Sequence, residues 1–345
     1  MALLGKPCLG TFSPSNTYTS SKILNNTFDI IATLSSRLLS EEILPKLCQA
    51  GATIARINGA HGSLESISAM VSDARKLVGD SMQIMIDLPG RKVRTKDLAV
   101  PIVLETGKDF HLYLHQVNYP EFLSALRTGQ QVSANDGLFS FQVMGVSEDR
   151  ATFRSSGDGL LHDNKGLHAE VDELEIPALL ETDLELIRIA KAEGVNLVAL
   201  SFVNNANDVE MCLSHLAGSA TGLVTKVETD SAIKHLDDIL EISETILIDR
   251  GDLASEIGID SVPQVQDMVI KAGLARGRRI YLATQFLHFM TEHQTPLIAE
   301  ANDIYHSVLK GVHGLQLSEE TAIGRYPLDV VKMMHAIVDR AIASS

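Results

Sequence analysis

Short apolar runs alternate with amphipathic helical stretches eight times along this chain, and that rhythm is what most restricts its fold. FDIIATL, ATIARIN and MQIMIDL come first; NLVALSF, GLVTKVE, TILIDRG, RIYLATQ and HGLQLSE follow after an interruption. The intervening stretches include helical patterns over Glu41 to Ala50, Leu64 to Val78, Ser231 to Ile242 and Pro296 to Val312, and the chain closes on VVKMMHAIVDRAIA. Strands that each follow a helix are joined by crossovers, so they pair in parallel. Eight such units predict an α/β chain folded as a (β/α)8 TIM barrel, which carries its polar chemistry at the C-terminal ends of the strands.

The interruption has a different texture. From about Thr95 to His168 the runs PIVLE, DFHLYLH, QQVSAN, FSFQVM and ATFRSS are short and separated by Gly, Asp and Ser, which predicts a small all-β domain inserted after the third strand. The expected division is therefore a barrel over 27–94 and 169–345 with a β lid over 95–168. Residues 1–26, rich in Ser, Thr, Asn, Gly and Pro without periodicity, are expected to be a flexible arm.

The strand ends then name the candidate residues: Thr33; Arg56 and Asn58; Asp87; Ser201; Lys226 and Glu228; Asp249, Arg250 and Asp252; Thr284 and Gln285; Ser318 and Glu320. Lys226 and Glu228 are two apart on a strand and so share a face, where an ammonium and a carboxylate reach one ligand. Gly251 lets the backbone before Asp252 approach a bound group. Two carboxylates at adjacent strand ends suffice for Mg²⁺, which draws its other oxygens from water and substrate. Each of these residues alone also reads as an ordinary surface ion pair; the joint pattern on consecutive units favours a site.

A formal net charge of −15 argues against a nucleic-acid surface or an anionic membrane as the main partner, while leaving room for a locally positive cleft. Cys8, Cys48 and Cys212 lack metal-type spacing, no run is long enough to span a bilayer, and the start MALLGKPCLG lacks a secretory pattern, so a cytoplasmic setting is expected. His288, His293, His306 and His313 show no metal-ligand spacing.

From about Phe28 onward the motifs AGATIARINGAHG, IMIDLPGRKVRT, ANDGLFS with NKGLH, SFVNNANDV, TKVET, DRGDLASEIG, ATQFLHFM and LSEETAIGRYPLDVV occur in an order that resembles the pyruvate kinase family. The resemblance implies a (β/α)8 barrel with a β insert after its third strand. Family members usually carry a further C-terminal regulatory domain; with the sequence ending at Ser345, that domain and its sugar-phosphate control are expected to be missing. By position, the resemblance implies that Glu228 and Asp252 hold Mg²⁺ or Mn²⁺ and that Lys226 stabilises charge on a transferring phosphoryl group or an enolate. Arg56 resembles the phosphate-binding arginine, with Arg94, His61 and Lys165 on the phosphate and nucleotide side. Gly251 and Asp252 would offer backbone N–H groups to a substrate carboxylate, an anion site that a helix start readily supplies. Ser201 and Phe202 belong to the same substrate surface, Thr284 would flank the enolate carbon, and Ser318 with Glu320 matches a proton relay. The implied partners are phosphoenolpyruvate, pyruvate or a related 2-oxo acid, with ADP or ATP.

Asn58, Asp87 and the Leu88 carbonyl match monovalent-cation ligands, but the usual serine is Ala60, and Lys92 stands where potassium-dependent members have glutamate. An ammonium there can replace the charge of potassium, so potassium is expected not to be required. Further departures fall mostly on nucleotide contacts and lid packing. Ser35-Ser36-Arg37-Leu38 replaces Gly-Pro-Ala-Ser, Asn204 replaces an arginine, and His168-Ala169-Glu170-Val171 replaces Asn-Leu-Pro-Gly. Asp249 replaces an alanine, and Leu297 and Ile298 replace Thr and Arg. Three readings stay open: a minimal pyruvate kinase; a 2-oxo-acid enzyme of decarboxylase, lyase or aldolase type; or a non-catalytic homologue. A homo-oligomer through the Pro296 to Val312 helix is a further expectation, because that stretch is rich in apolar and small residues.

Overall fold

The computed structural model describes residues 28–135, 137–169 and 176–344; the expected N-terminal arm over 1–26 lies outside them. Strands β1 (Asp29–Thr33), β2 (Ile54–Asn58) and β3 (Gln83–Asp87) precede the insert. Within the insert run β4 (Ile102–Leu104), β5 (Asp109–Tyr113), β6 (Gln131–Ala134), β7 (Phe139–Val146), β8 (Arg150–Ser155), β9 (Gly159–Leu161) and β10 (Leu167–His168). The rhythm then resumes with β11 (Leu197–Leu200), β12 (Gly222–Val227), β13 (Thr245–Asp249), β14 (Arg279–Ala283) and β15 (Gly314–Leu317). The barrel strands close in the order β1-β15-β14-β13-β12-β11-β3-β2, all parallel.

Two apolar layers hold this closure. Outside the sheet, helices bury one stripe each: Ile67, Val71, Ala74 and Val78 of Leu64–Val78, and Val330, Val331, Met334, Val338 and Ala341 of Pro327–Ala343, recur at helical spacing and pack on the strands. Pro327 opens the latter where no backbone donor is needed. Inside the barrel, Ile31, Ile54, Met85, Ala199, Val224 and Leu247 form an apolar plug. Stepping two residues along each of those strands keeps the side chain pointing inward and reaches Thr33, Arg56, Asp87, Ser201, Lys226 and Asp249. The interior thus turns from apolar to polar in one step at the C-terminal end.

The insert is a five-stranded antiparallel sheet, β10-β6-β7-β8-β5, with a separate β4–β9 pair. Its core is aromatic: Phe141 meets Phe110 edge-on at 4.8 Å between centroids, and Phe153 stacks on Phe110 at 5.4 Å. Asn164 ties it to the barrel by donating to the Ala60 carbonyl at 2.9 Å.

Four expectations need correction. The insert is not purely β, because Pro120–Ala125 forms a helical turn that buries Phe122 and Leu123. The Ser231 to Ile242 pattern divides into Asp230–Lys234 and Leu236–Ile242 at His235, whose Nδ1 lies 2.9 Å from the Ser231 carbonyl and 3.1 Å from that of Asn204. The first helix is Leu44–Gln49, starting late because Pro45 belongs in a first turn. The helix expected over Pro296 to Val312 is Ile298–Leu309, since Leu297 is extended at its N-cap and Gly311 takes a positive φ.

Candidate active site at the barrel mouth

A cavity of about 2520 Å³ lies between barrel mouth and insert. Arg56, Asn58, His61, Lys92, Lys165, Phe202, Asp249, Gly251, Asp252, Thr284 and Ser318 line it. Lys226 and Glu228, 4% and 0% exposed, form the layer beneath Asp249.

Lys226 is the hub of that layer. Its Nζ lies 3.0 Å from Glu228 Oε2, 3.3 Å from Asp249 Oδ2 and 3.7 Å from Asp87 Oδ2, and donates to Ser201 Oγ at 3.2 Å. Burial alone would lower the lysine pKa, but Asp87, Glu228 and Asp249 outweigh it and raise it, so the group is an ammonium. Burial also pushes the Glu228 carboxyl up, against the pull of Lys226. Asp249 and Asp87, although buried, are held below the ordinary carboxylate range by the surrounding cations and hydrogen bonds.

Arg56 and Asp87 are a second buried unit. Nε and Nη2 of Arg56 both donate to Asp87 Oδ2, at 2.9 and 2.6 Å, while Nη1 donates to Thr33 Oγ1 at 2.8 Å. Asp87 Oδ1 accepts from Ser201 Oγ at 3.0 Å. The aspartate expected at a monovalent ion therefore has a protein donor on each oxygen. Asn58, the other expected ligand, accepts from the Ala60 amide at 3.0 Å and remains at the cavity wall.

Near the insert, His61 is held neutral first by burial and then by the charges of Arg94, Arg56 and Lys165. Three cations around one imidazole make this side of the mouth positive within a chain that is acidic as a whole. Arg94 is not among the residues that line the cavity.

At the other side, Asp249 caps the helix Arg250–Ile257. Its Oδ1 accepts from the Gly251 amide at 3.4 Å and from Thr284 Oγ1 at 2.5 Å. Thr284 adopts φ 78°, a left-handed conformation costly for a β-branched residue, and its Cγ2 would stand 2.9 Å from a Cβ on Gly251. Asp252 pairs instead with Lys92, Oδ1 to Nζ at 2.6 Å, and Lys92 also sits 5.5 Å above the Phe202 ring. The Phe202 amide donates to Glu228 Oε1 at 2.7 Å.

Glu228, Asp249 and Asp252 each bring a carboxylate oxygen within 4.8 Å of the others. Glu228 Oε2 has the Lys226 ammonium at 3.0 Å as its charge partner and no other donor among the described residues. An enclosed carboxylate oxygen with that single partner fits a cation ligand. The expected pair Glu228 and Asp252 is thus brought together, with Asp249 as a third member. Strand parity held that signal: Val227 pairs with Ile248, which sets Asp249 beside Glu228.

Ser318 lines the cavity, but Glu320, 2% exposed, does not. Its Oε2 accepts from the Ser318 amide at 2.7 Å, so the expected relay's carboxylate lies under the surface. No helix among the described residues is long and apolar enough to cross a membrane.

A closed parallel barrel, an inserted β sheet over its mouth and an inward ring of charge at the strand ends define the class: an α/β-barrel protein with its polar site at the C-terminal face. The barrel-domain pattern of pyruvate kinase matches residues 25–331, and the chain belongs to the pyruvate kinase family. It is similar to the pyruvate kinase of Borreliella burgdorferi, 30% identical over 90% of this chain and 67% of that protein. It also resembles the pyruvate kinase of Thermoplasma acidophilum, 32% identical over 90% of this chain and 57% of the relative. Plastidial pyruvate kinase 2 of Arabidopsis thaliana is 29% identical over 91% and 57%. The chain thus spans between half and about two thirds of these relatives.

Proposed function

We propose that this chain is a cytoplasmic phosphotransferase of the pyruvate kinase kind, moving a phosphoryl group between phosphoenolpyruvate and ADP. The observation that carries this reading is the enclosed Lys226 ammonium, 3.0 Å from Glu228 and 3.3 Å from Asp249 at the floor of an anion-lined and cation-lined mouth. Glu228 and Asp252, with Asp249 beside them, would hold a divalent ion such as Mg²⁺ or Mn²⁺. When bound, that ion supplies Lewis-acid stabilisation of negative charge on substrate oxygens. Lys226 adds a fixed positive charge where the enol oxygen gains charge, and it needs no reorganisation because the surrounding carboxylates already hold it. Arg56, Arg94 and Lys165 supply charge for a phosphoryl group on the insert side, with His61 neutral among them. Ser201 and Phe202 position the floor through Asp87, Lys226 and Glu228. Gly251 opens the helix whose positive end faces the substrate carboxylate. Thr284 borders the reacting carbon, and Ser318 is the hydroxyl nearest a proton path, with Glu320 positioning its backbone. Lys92, already paired with Asp252, provides the charge for which a monovalent ion at Asn58 and Asp87 would otherwise be needed. Self-association through the helix Ile298–Leu309 belongs to the same proposal, since Ile298 is 82% exposed there.

A lactate dehydrogenase-coupled assay with phosphoenolpyruvate, ADP and Mg²⁺ tests this. Turnover that falls by about 10²-fold or more in Lys226→Met is expected, the scale for losing one positioned charge at a developing oxyanion. Wild-type protein without turnover would sink it.

One observation favours a second reading, enol chemistry of a 2-oxo acid without nucleotide. Arg37, in the loop after β1, spends its guanidinium on the carbonyls of Thr321, Ala322 and Gly324, and Ser35 Oγ also donates to Ala322. That loop is thereby fastened to the β15 side, with Ser35 and Ser36 at the cavity wall. Mg²⁺-dependent pyruvate binding with no response to ADP is the outcome that would select it.

A further inference from the structure

We propose that Asp249 is an internal carboxylate seated where a ligand's carboxylate would otherwise bind, and that it sets which anions this site admits. The inference rests on the proposed function for the meaning of the site, and on three contacts for its content. A carboxylate at this end of the barrel has three donors available: the Gly251 amide in the first turn of the helix Arg250–Ile257, the Thr284 hydroxyl and the Lys226 ammonium. All three are aimed at Asp249, from Gly251 N at 3.4 Å, Thr284 Oγ1 at 2.5 Å and Lys226 Nζ at 3.3 Å.

A helix-capping aspartate is ordinary, and the Gly251 contact alone would mean no more than that. The other two contacts go beyond capping. Thr284 reaches Asp249 from a neighbouring strand end at the cost of φ 78°. Lys226, from the strand on the opposite side, meets the second oxygen. Asp249 also lines the cavity and brings an oxygen within 4.8 Å of Glu228 and Asp252. Glu228 Oε2, fully enclosed with the Lys226 ammonium as its one partner among the described residues, belongs to the same group of carboxylate oxygens.

Charge supplies the consequence. Held by those three donors, Asp249 keeps a fixed carboxylate at the floor beside Glu228 and Asp252. A second negative charge that a ligand brings to the helix start meets that carboxylate. A dicarboxylate must displace Asp249 from its donors or accept its repulsion. The ligand class favoured here presents a single carboxylate, or a neutral carbonyl oxygen, to the helix start.

The test is oxalate binding by isothermal titration to the full chain at saturating Mg²⁺, comparing wild type with Asp249→Ala and Asp249→Asn. Mg²⁺ saturation and melting temperature are checked for each protein. The expected result is oxalate affinity raised about tenfold or more in both variants, the scale of one removed like charge. Should Asp249→Ala fail to fold, the near-isosteric Asp249→Asn carries the comparison. Unchanged or weaker oxalate binding in the folded variants, with wild type binding oxalate, overturns the inference and leaves the proposed function standing. Absence of Mg²⁺-dependent oxalate binding in all three proteins overturns both.

Discussion

Lys92 and Asp252 form an ion pair 2.6 Å long across the barrel mouth, joining the loop that leaves β3 to the helix that follows β13. Both side chains are mostly enclosed, at 18% and 23% exposure, so the pair is only partly screened by solvent. A fixed ammonium there places a positive charge beside a carboxylate of the acidic cluster, and in the proposed function it takes the part of a monovalent ion. Turnover in potassium and in sodium at equal ionic strength should agree within about a factor of two, the size of an ordinary ionic-strength effect. Lys92→Ala should lower turnover by about tenfold or more, as loss of a positioned charge does. A strong potassium requirement in the wild type contradicts this account.

Arg56 and Asp87 make a prediction about stability. Both are buried, at 8% and 3% exposure, and share two charge-assisted hydrogen bonds. Arg56→Met removes the cation and leaves Asp87 enclosed with only Lys226 for compensation at 3.7 Å. Breaking one partner of such a pair costs about 3–5 kcal/mol, which for a chain of this size lowers the melting temperature by roughly 4–7 °C. Arg56→Met combined with Asp87→Asn should recover part of that loss. Calorimetry decides it: a drop under about 2 °C in the single variant would mean the pair is solvated.

The barrel was legible in the sequence because its periodicities are local. Eight apolar runs of strand length each precede a helical stripe, and parity along β12 alone places Lys226 and Glu228 on one face. Relations set by loops were not legible. Lys92 and Asp252 are 160 residues apart, and no residue pattern on either loop announces the other. The seat of Asp249 depends on Thr284 taking a positive φ, which its residue type disfavours. The break at His235 arose likewise from a distant acceptor, the Asn204 carbonyl, competing with the helix for its side chain.

Arg37 yields a third prediction, because it fastens the loop after β1 to the carbonyls of Thr321, Ala322 and Gly324. The side chain is exposed, so the stabilisation is small: Arg37→Ala should cost about 0.5–1.5 kcal/mol. The more telling readout is local. Amide exchange at Leu38, Leu39 and Ala322 should accelerate in Arg37→Ala while the helix Leu64–Val78 is unaffected. Equal exchange in the two proteins would show that Ser35 and the buried Leu38 hold the loop by themselves.

His313 provides the pH prediction, at the end of the barrel away from the cavity. The Ile280 amide donates to its Nδ1 at 3.1 Å, and the His313 amide donates to the Ile280 carbonyl at 2.7 Å, so β14 and the turn before β15 are joined by two bonds. The first requires an unprotonated Nδ1. Burial holds the His313 pKa below its ordinary value, Arg279 lowers it further, and Asp29 opposes them. The native state therefore takes up this proton less readily than the unfolded chain, and through the acid range the unfolded state binds more protons. Stability from this group is complete above the ordinary histidine value of about 6.5 and is lost as pH falls through the lower folded value. His313→Asn keeps an acceptor for Ile280 but cannot titrate. Its melting temperature should fall less than that of the wild type between about pH 7.5 and about pH 5, because only the wild type must break the Ile280 bond to gain the proton. His61, whose pKa is also lowered, contributes with the same sign in both proteins and so cancels from the comparison. Parallel melting curves across that range would show that the Ile280 contact survives acidification without His313.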